Sequence, residues 1–69
     1  QMKVGFLVKN KLKLPECPVG IVIEVKEDLF VEDVHCNRWD FPDQIRVLYP
    51  GGEIEVNPAD LYEIVSKNN

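Results

Sequence analysis

The chain has 69 residues, 45% of them apolar and 29% charged, with a formal net charge of −4. That length holds one small domain and excludes a two-domain enzyme, and the longest aliphatic run, Ile21-Val22-Ile23, is far short of the roughly 20 residues a membrane-spanning helix needs. The charge is uneven: Lys3, Lys9, Lys11 and Lys13 lie in residues 1–13 with no acid, whereas the remainder sets all 12 acidic residues against Lys26, Arg38, Arg46 and Lys67, a net of −8.

Ten valines and five isoleucines stand against a single alanine. β-Branched side chains lose rotamer freedom in helices and pack well on pleated sheets, so an all-β domain is predicted. No basic stretch leading into an apolar one opens the chain, and Gln1 ahead of Met2 reads as an addition. A cytoplasmic protein with two reduced cysteines, Cys17 and Cys36, is therefore expected, with no membrane contact.

Val4 to Lys9 reads as the first strand, and Asn10 to Pro18, with its lysines and two prolines, as a loop. From Val19 to Lys26 one parity is Val19, Ile21, Ile23 and Val25, the alternation of a half-buried strand, and this apolar set is expected to face inward. Glu27 to Asp43 follows neither helical nor strand period, and is read as a strand end, a long loop and a return. Residues 45–56 read as a hairpin turning on Gly51-Gly52. Such a two-residue turn sets Tyr49 opposite Ile54 and Val47 opposite Val56 on an inner apolar face, with Leu48 opposite Glu55 and Arg46 opposite Asn57 on the outer one. Asn57-Pro58-Ala59-Asp60 then breaks the strand as a single helical turn before a last strand from Tyr62 to Val65, and Ser66 to Asn69 is expected to fray.

Four stretches carry a resemblance: Val4-Gly5-Phe6-Leu7-Val8, Val19-Gly20-Ile21-Val22-Ile23-Glu24-Val25, Ile45-Arg46-Val47-Leu48-Tyr49-Pro50-Gly51-Gly52, and Asp60-Leu61-Tyr62-Glu63-Ile64. Their order resembles small SH3-like barrels of the Tudor-like and KOW-like kind, and is most similar to short barrel proteins encoded by bacteriophages. The resemblance implies a small five-stranded SH3-like barrel, with one helical turn before the last strand and a long loop at about 27–43. For a phage-encoded protein it implies residence in the host cytoplasm. Phe6 stands where that family usually has Asp. The Ala-Leu-Tyr-Asp-Tyr run and tandem Trp of proline-binding SH3 domains are missing, so proline-peptide recognition is not implied. A superfold shared by many activities assigns none of them.

Catalytic chemistry has little to work with. Threonine is absent and the single serine is Ser66, which leaves no activated hydroxyl. His35, Cys36 and Cys17 lack the paired short spacings of a structural zinc site. No metal, cofactor or enzymatic activity is expected. The acidic pairs Glu27-Asp28 and Glu32-Asp33 read as solvated surface. Trp39 and Phe41, with Arg38 beside them, have the composition of a protein-contact hot spot, although Trp39 also suits a lid over one end of a small core. The expected function is a noncatalytic module for a protein partner or for self-association, using Arg38, Trp39, Phe41, Tyr49 and Tyr62. The alternative is nucleic-acid binding through Lys3, Lys9, Lys11 and Lys13, which the acidic remainder opposes.

Overall fold

The computed structural model describes residues 1–13 and 15–67. The described residues form seven strands and two short 3₁₀ turns: β1 Leu7–Asn10, β2 Gly20–Lys26, β3 Phe30–Glu32, β4 Arg38–Asp40, β5 Gln44–Leu48, β6 Ile54–Pro58 and β7 Tyr62–Ser66, with the turns at Lys11–Lys13 and Ala59–Leu61. The all-β expectation and the helical turn ahead of the last strand are both met. Five strands make one antiparallel sheet in the order β6-β5-β2-β1-β7, and β3 and β4 make a separate two-stranded ribbon.

The hairpin register differs from expectation by one residue. Leu48 pairs with Ile54, Val47 with Glu55, Arg46 with Val56 and Ile45 with Asn57. Pro50 is the cause. Its fixed φ suits the second position of a four-residue turn, and that turn closes with Gly52 N donating to Tyr49 O at 3.0 Å. Gly51 takes the positive φ (97°) such a turn requires, Gly52 (φ 94°) becomes an extra loop residue, and the ladder resumes with Tyr49 N donating to Glu53 O. Because side chains alternate, a slip of one residue exchanges the two faces of β6. Ile54 and Val56, expected inside, are half exposed, and Glu55 is carried inward.

β2 is corrected in the same way. Val22 pairs with Val47 and Glu24 with Arg46, leaving Ile23 as the extra residue of a bulge. Before the bulge Gly20 and Val22 are buried; beyond it Val25 packs on the core. Two apolar runs of opposite parity therefore both reach the interior, and Ile23, expected inside, is 38% exposed.

The core consists of Phe6, Val8, Val22, Ile45, Val47, Tyr49 and Tyr62, joined at its margin by Met2, Val25, Ala59 and Leu61. The sheet is not closed into a barrel, since no backbone ladder joins its end strands β6 and β7. Side chains span this seam instead: Tyr62 of β7 donates its hydroxyl to Glu55 of β6 at 2.7 Å, and Asn57 Nδ2 donates to the Tyr62 oxygen at 3.0 Å.

The segment read as a long loop is the ribbon. Its strands make their main contacts with each other, and the molecule measures 45 × 25 × 20 Å with a radius of gyration of 13.9 Å, where a compact chain of this length would have about 11 Å. Of the tail expected to fray, Ser66 ends β7, and residues 68 and 69 lie outside the described residues.

Candidate functional site

Within the ribbon, Phe30 pairs with Asp40, Val31 with Trp39 and Glu32 with Arg38. The ladder extends one step toward the body, Phe41 N donating to Leu29 O at 2.8 Å. Directly paired residues share a face. One face therefore carries Leu29, Val31, Trp39 and Phe41, and the other carries Phe30, Glu32, Arg38 and Asp40. The second face is internally satisfied: the Arg38 guanidinium lies 3.9 Å from the Phe30 ring centroid and its Nε donates to Asp40 at 2.8 Å. Among the described residues none forms a layer over the first face; Val31 is 53%, Trp39 52% and Phe41 51% exposed. A lid role for Trp39 is thereby corrected, because the ring sits on the projecting ribbon and leaves half its surface in solvent.

The ribbon tip is locked by Asp33. Its carboxylate accepts from His35 N, Asn37 N and Asn37 Nδ2 at 2.9–3.0 Å, and the turn is completed by Cys36 N donating to Asp33 O. The Asn37 side-chain bond, followed by its backbone bond, holds the Asp33 carboxyl below its ordinary value, against a smaller opposing effect of burial. Cys36 adopts a left-handed φ of 64° to make this turn. Asp33→Ala is expected to leave the five-stranded sheet intact while the amide protons of residues 35–37 lose protection in hydrogen exchange; unchanged protection there would show that the turn is held by something else.

Tyr49 and Tyr62 were expected at a contact surface. Both are buried, at 5% and 4% exposure, and correct that expectation. Their hydroxyls each donate to Glu55 Oε1 at 2.7 Å; Asn10 Nδ2 also donates to that oxygen, at 3.1 Å, and Lys13 Nζ donates to Oε2 at 2.8 Å. Burial pushes the Glu55 carboxyl up, but the bonds from Lys13, Tyr62, Tyr49 and Asn10 override it and hold the group at about 2. Burial, reinforced by the Glu55 carboxylate, raises the Tyr62 phenol to about 12 and raises Tyr49 as well. Asn10 joins the cluster to the following loop, since its Oδ1 accepts from Leu12 N and its carbonyl oxygen from Cys17 Sγ. Four donors saturate Glu55, so the cluster is a structural clasp.

The lysines do not make one free strip. Lys13 is held by Glu55, Lys11 Nζ donates to Asp60 O at 3.1 Å, and Lys9 stands opposite Glu63 in the β1–β7 ladder. Cys17 is buried and Cys36 exposed, and they do not bridge. Among the described residues no cluster of His, Cys, Asp and Glu could hold a metal ion, and no helix is long and apolar enough to cross a membrane.

A second apolar feature escapes a reading of the sequence. Leu7 pairs with Ile21, Ile21 with Leu48, and Leu48 with Ile54, so one row of aliphatic side chains runs across four strands on the outer face of the sheet. With Val19 and Pro50, part of this row lines a shallow concavity of about 390 Å³. Of its charged neighbours, Arg46 is ion-paired with Glu24 at 2.7 Å, and Lys9 stands opposite Glu63 in the β1–β7 ladder. Comparison with family models, curated proteins and solved structures finds no match to the chain.

Proposed function

We propose that the chain is a noncatalytic binding module that engages a protein through the apolar face of the β3–β4 ribbon. The observation carrying this reading is that Val31, Trp39 and Phe41 sit half exposed on a hairpin whose tip is already fixed by Asp33. A preformed aromatic surface loses little conformational freedom on docking, and Trp is the residue most enriched at energetic centres of interfaces. Arg38 contributes by stacking on Phe30, which keeps the opposite face rigid and polar. Support for an SH3-like barrel opened along its β6–β7 seam comes from the strand order β6-β5-β2-β1-β7 and from the 3₁₀ turn that precedes β7.

Self-association is a second reading, favoured by the outer row Leu7, Ile21, Leu48 and Ile54, which is apolar across four strands and flanked by the Arg46–Glu24 ion pair. Nucleic-acid binding has less support, since Lys9, Lys11 and Lys13 already face acidic side chains or a carbonyl within the fold.

Trp39→Ala tests the main reading. The expected result is a urea unfolding free energy within about 0.5 kcal/mol of the parent, as for surface positions generally. A loss above about 2 kcal/mol, the scale of truncating a core aromatic, would return the ring to the interior and end the proposal.

A further inference from the structure

The ribbon and its two connections, residues 27–43, contain Glu27, Asp28, Glu32, Asp33, Asp40 and Asp43 against Arg38 alone, a formal charge of −5. The whole chain carries −4, so all other residues together carry +1. The acidity that composition spreads over the body is therefore concentrated on one projecting hairpin, the same hairpin that carries the uncovered apolar face.

We infer that the ribbon's apolar face docks a cationic protein segment whose lysines or arginines flank apolar anchors; this rests on the binding-module reading above. Leu29, Val31, Trp39 and Phe41 supply the apolar centre, and the carboxylates on the reverse face and at both ends supply a negative rim. On the reverse face Asp40 is neutralised by Arg38, so the field at the docking face comes from Glu32 and from the carboxylates at the two ends of the ribbon, and it is attenuated over a Debye length of ~8–10 Å at ordinary ionic strength. A second copy of this chain is the wrong occupant for this face, because it would bring two such ribbons, each at −5, against one another. An extended cationic segment also matches the geometry: alternate side chains of a strand point to one side, which spaces its anchors along the ribbon.

Trp39, the one tryptophan in the chain, lies on the face in question and reports occupancy by its own fluorescence. Three seven-residue peptides with capped ends serve as probes: alternating lysine and leucine, alternating glutamate and leucine, and alternating lysine and serine. The lysine–leucine peptide is expected to shift Trp39 emission saturably at about 50 mM salt, and to bind about tenfold more weakly at 300 mM. The other two peptides should bind at least tenfold more weakly at low salt. The double variant Glu27→Gln/Glu32→Gln, both exposed positions, should weaken the lysine–leucine peptide roughly threefold per charge removed and flatten its salt dependence. Val31→Ser should abolish its binding while the protein stays folded.

Equal binding of the two leucine-containing peptides would overturn the cationic partner and leave the binding-module reading standing. If the lysine–serine peptide matched the lysine–leucine one, or Val31→Ser bound unchanged, the apolar face would be uninvolved and both would fail. No shift of Trp39 by any peptide at millimolar concentration would likewise overturn both. Sedimentation showing a dimer that Val31→Ser dissociates would make a second copy the occupant and overturn the inference alone.

Discussion

Gly20→Ala is expected to cost about 2–3 kcal/mol, toward the upper end of the usual range for overpacking, and Gly20→Val more. Gly20 opens β2 with its backbone pressed against β5. A Cβ built on it would fall on Val47 Cγ1, and would lie 2.9 Å from Tyr49 Cε1. Neither neighbour can yield cheaply. Val47 is fully buried between its strand neighbours, and the Tyr49 ring is held at its far end by the hydroxyl bond to Glu55. A chain of this size is stabilised by only about 3–10 kcal/mol in total, so the methyl group consumes a large share of the margin. It should lower the thermal midpoint by on the order of 10–20 °C. Urea unfolding checks this: the midpoint should fall with an unchanged slope, and Val47→Ala placed in the Gly20→Ala background should recover part of the loss. A Gly20→Ala protein within 0.5 kcal/mol of the parent would mean that β2 and β5 are not packed as closely as described.

Much of the fold can be read from composition and alternation, and the places where reading fails are physical. Strand identity follows from β-branched content, which is a property of each segment by itself, so β1, β2, β5, β6 and β7 are recognisable within a few residues of their ends. Register is decided by single residues. Taking Gly51-Gly52 as a two-residue turn neglects Pro50, whose ring selects the four-residue turn Tyr49–Gly52 and shifts β6 by one position. In β2, the run of aliphatic residues on both parities gives no local sign of a bulge; Ile23 is extruded because Gly20, Val22 and Val25 all have to reach the same core. The ribbon escapes periodicity for a related reason. Each of its strands has three residues, too few to establish alternation, and its turn is built on Asp33 and Asn37, whose mutual bonds only the folded backbone displays. Trp39 and Phe41 stand out from chemistry alone as anchors, but Leu29 and Val31 join them only through pairing across the ribbon. Glu55 is the plainest case, since a charged residue in an alternating strand is ordinarily read as outward. Its inward placement depends on Tyr49 and Tyr62, which flank its own strand in the sequence, and on Asn10 and Lys13, which are distant in sequence.

That placement makes Glu55 the most consequential polar residue of the molecule. Glu55→Leu is expected to destabilise by about 3–5 kcal/mol, because it leaves the Tyr49 and Tyr62 hydroxyls and the Asn10 amide without their shared acceptor. It also removes the principal side-chain link across the β6–β7 seam. Glu55→Gln, which keeps the shape and one acceptor oxygen, should cost about half as much. The pH dependence has a definite sign. A carboxyl lowered in the folded state from an ordinary 4.5 to about 2 contributes stability that is fully present above pH 4.5 and is lost as pH falls toward 2. Because Lys13 is solvent-exposed and its bond is screened, the loss attributable to Glu55 should be about 1–2 kcal/mol. At the alkaline end Tyr62 is raised from 10 to about 12, and its neutral form contributes stability that is full below pH 10 and declines as pH rises through 12. Urea unfolding from pH 2 to pH 12 should therefore give a plateau with a fall at each end. In Glu55→Gln the acid fall should be smaller than in the parent by the Glu55 share, and the alkaline fall should shrink because the carboxylate no longer opposes ionisation of the phenols. Parent and Glu55→Gln curves running parallel below pH 4.5 would show that the seam is held by apolar packing alone, with the carboxylate a bystander.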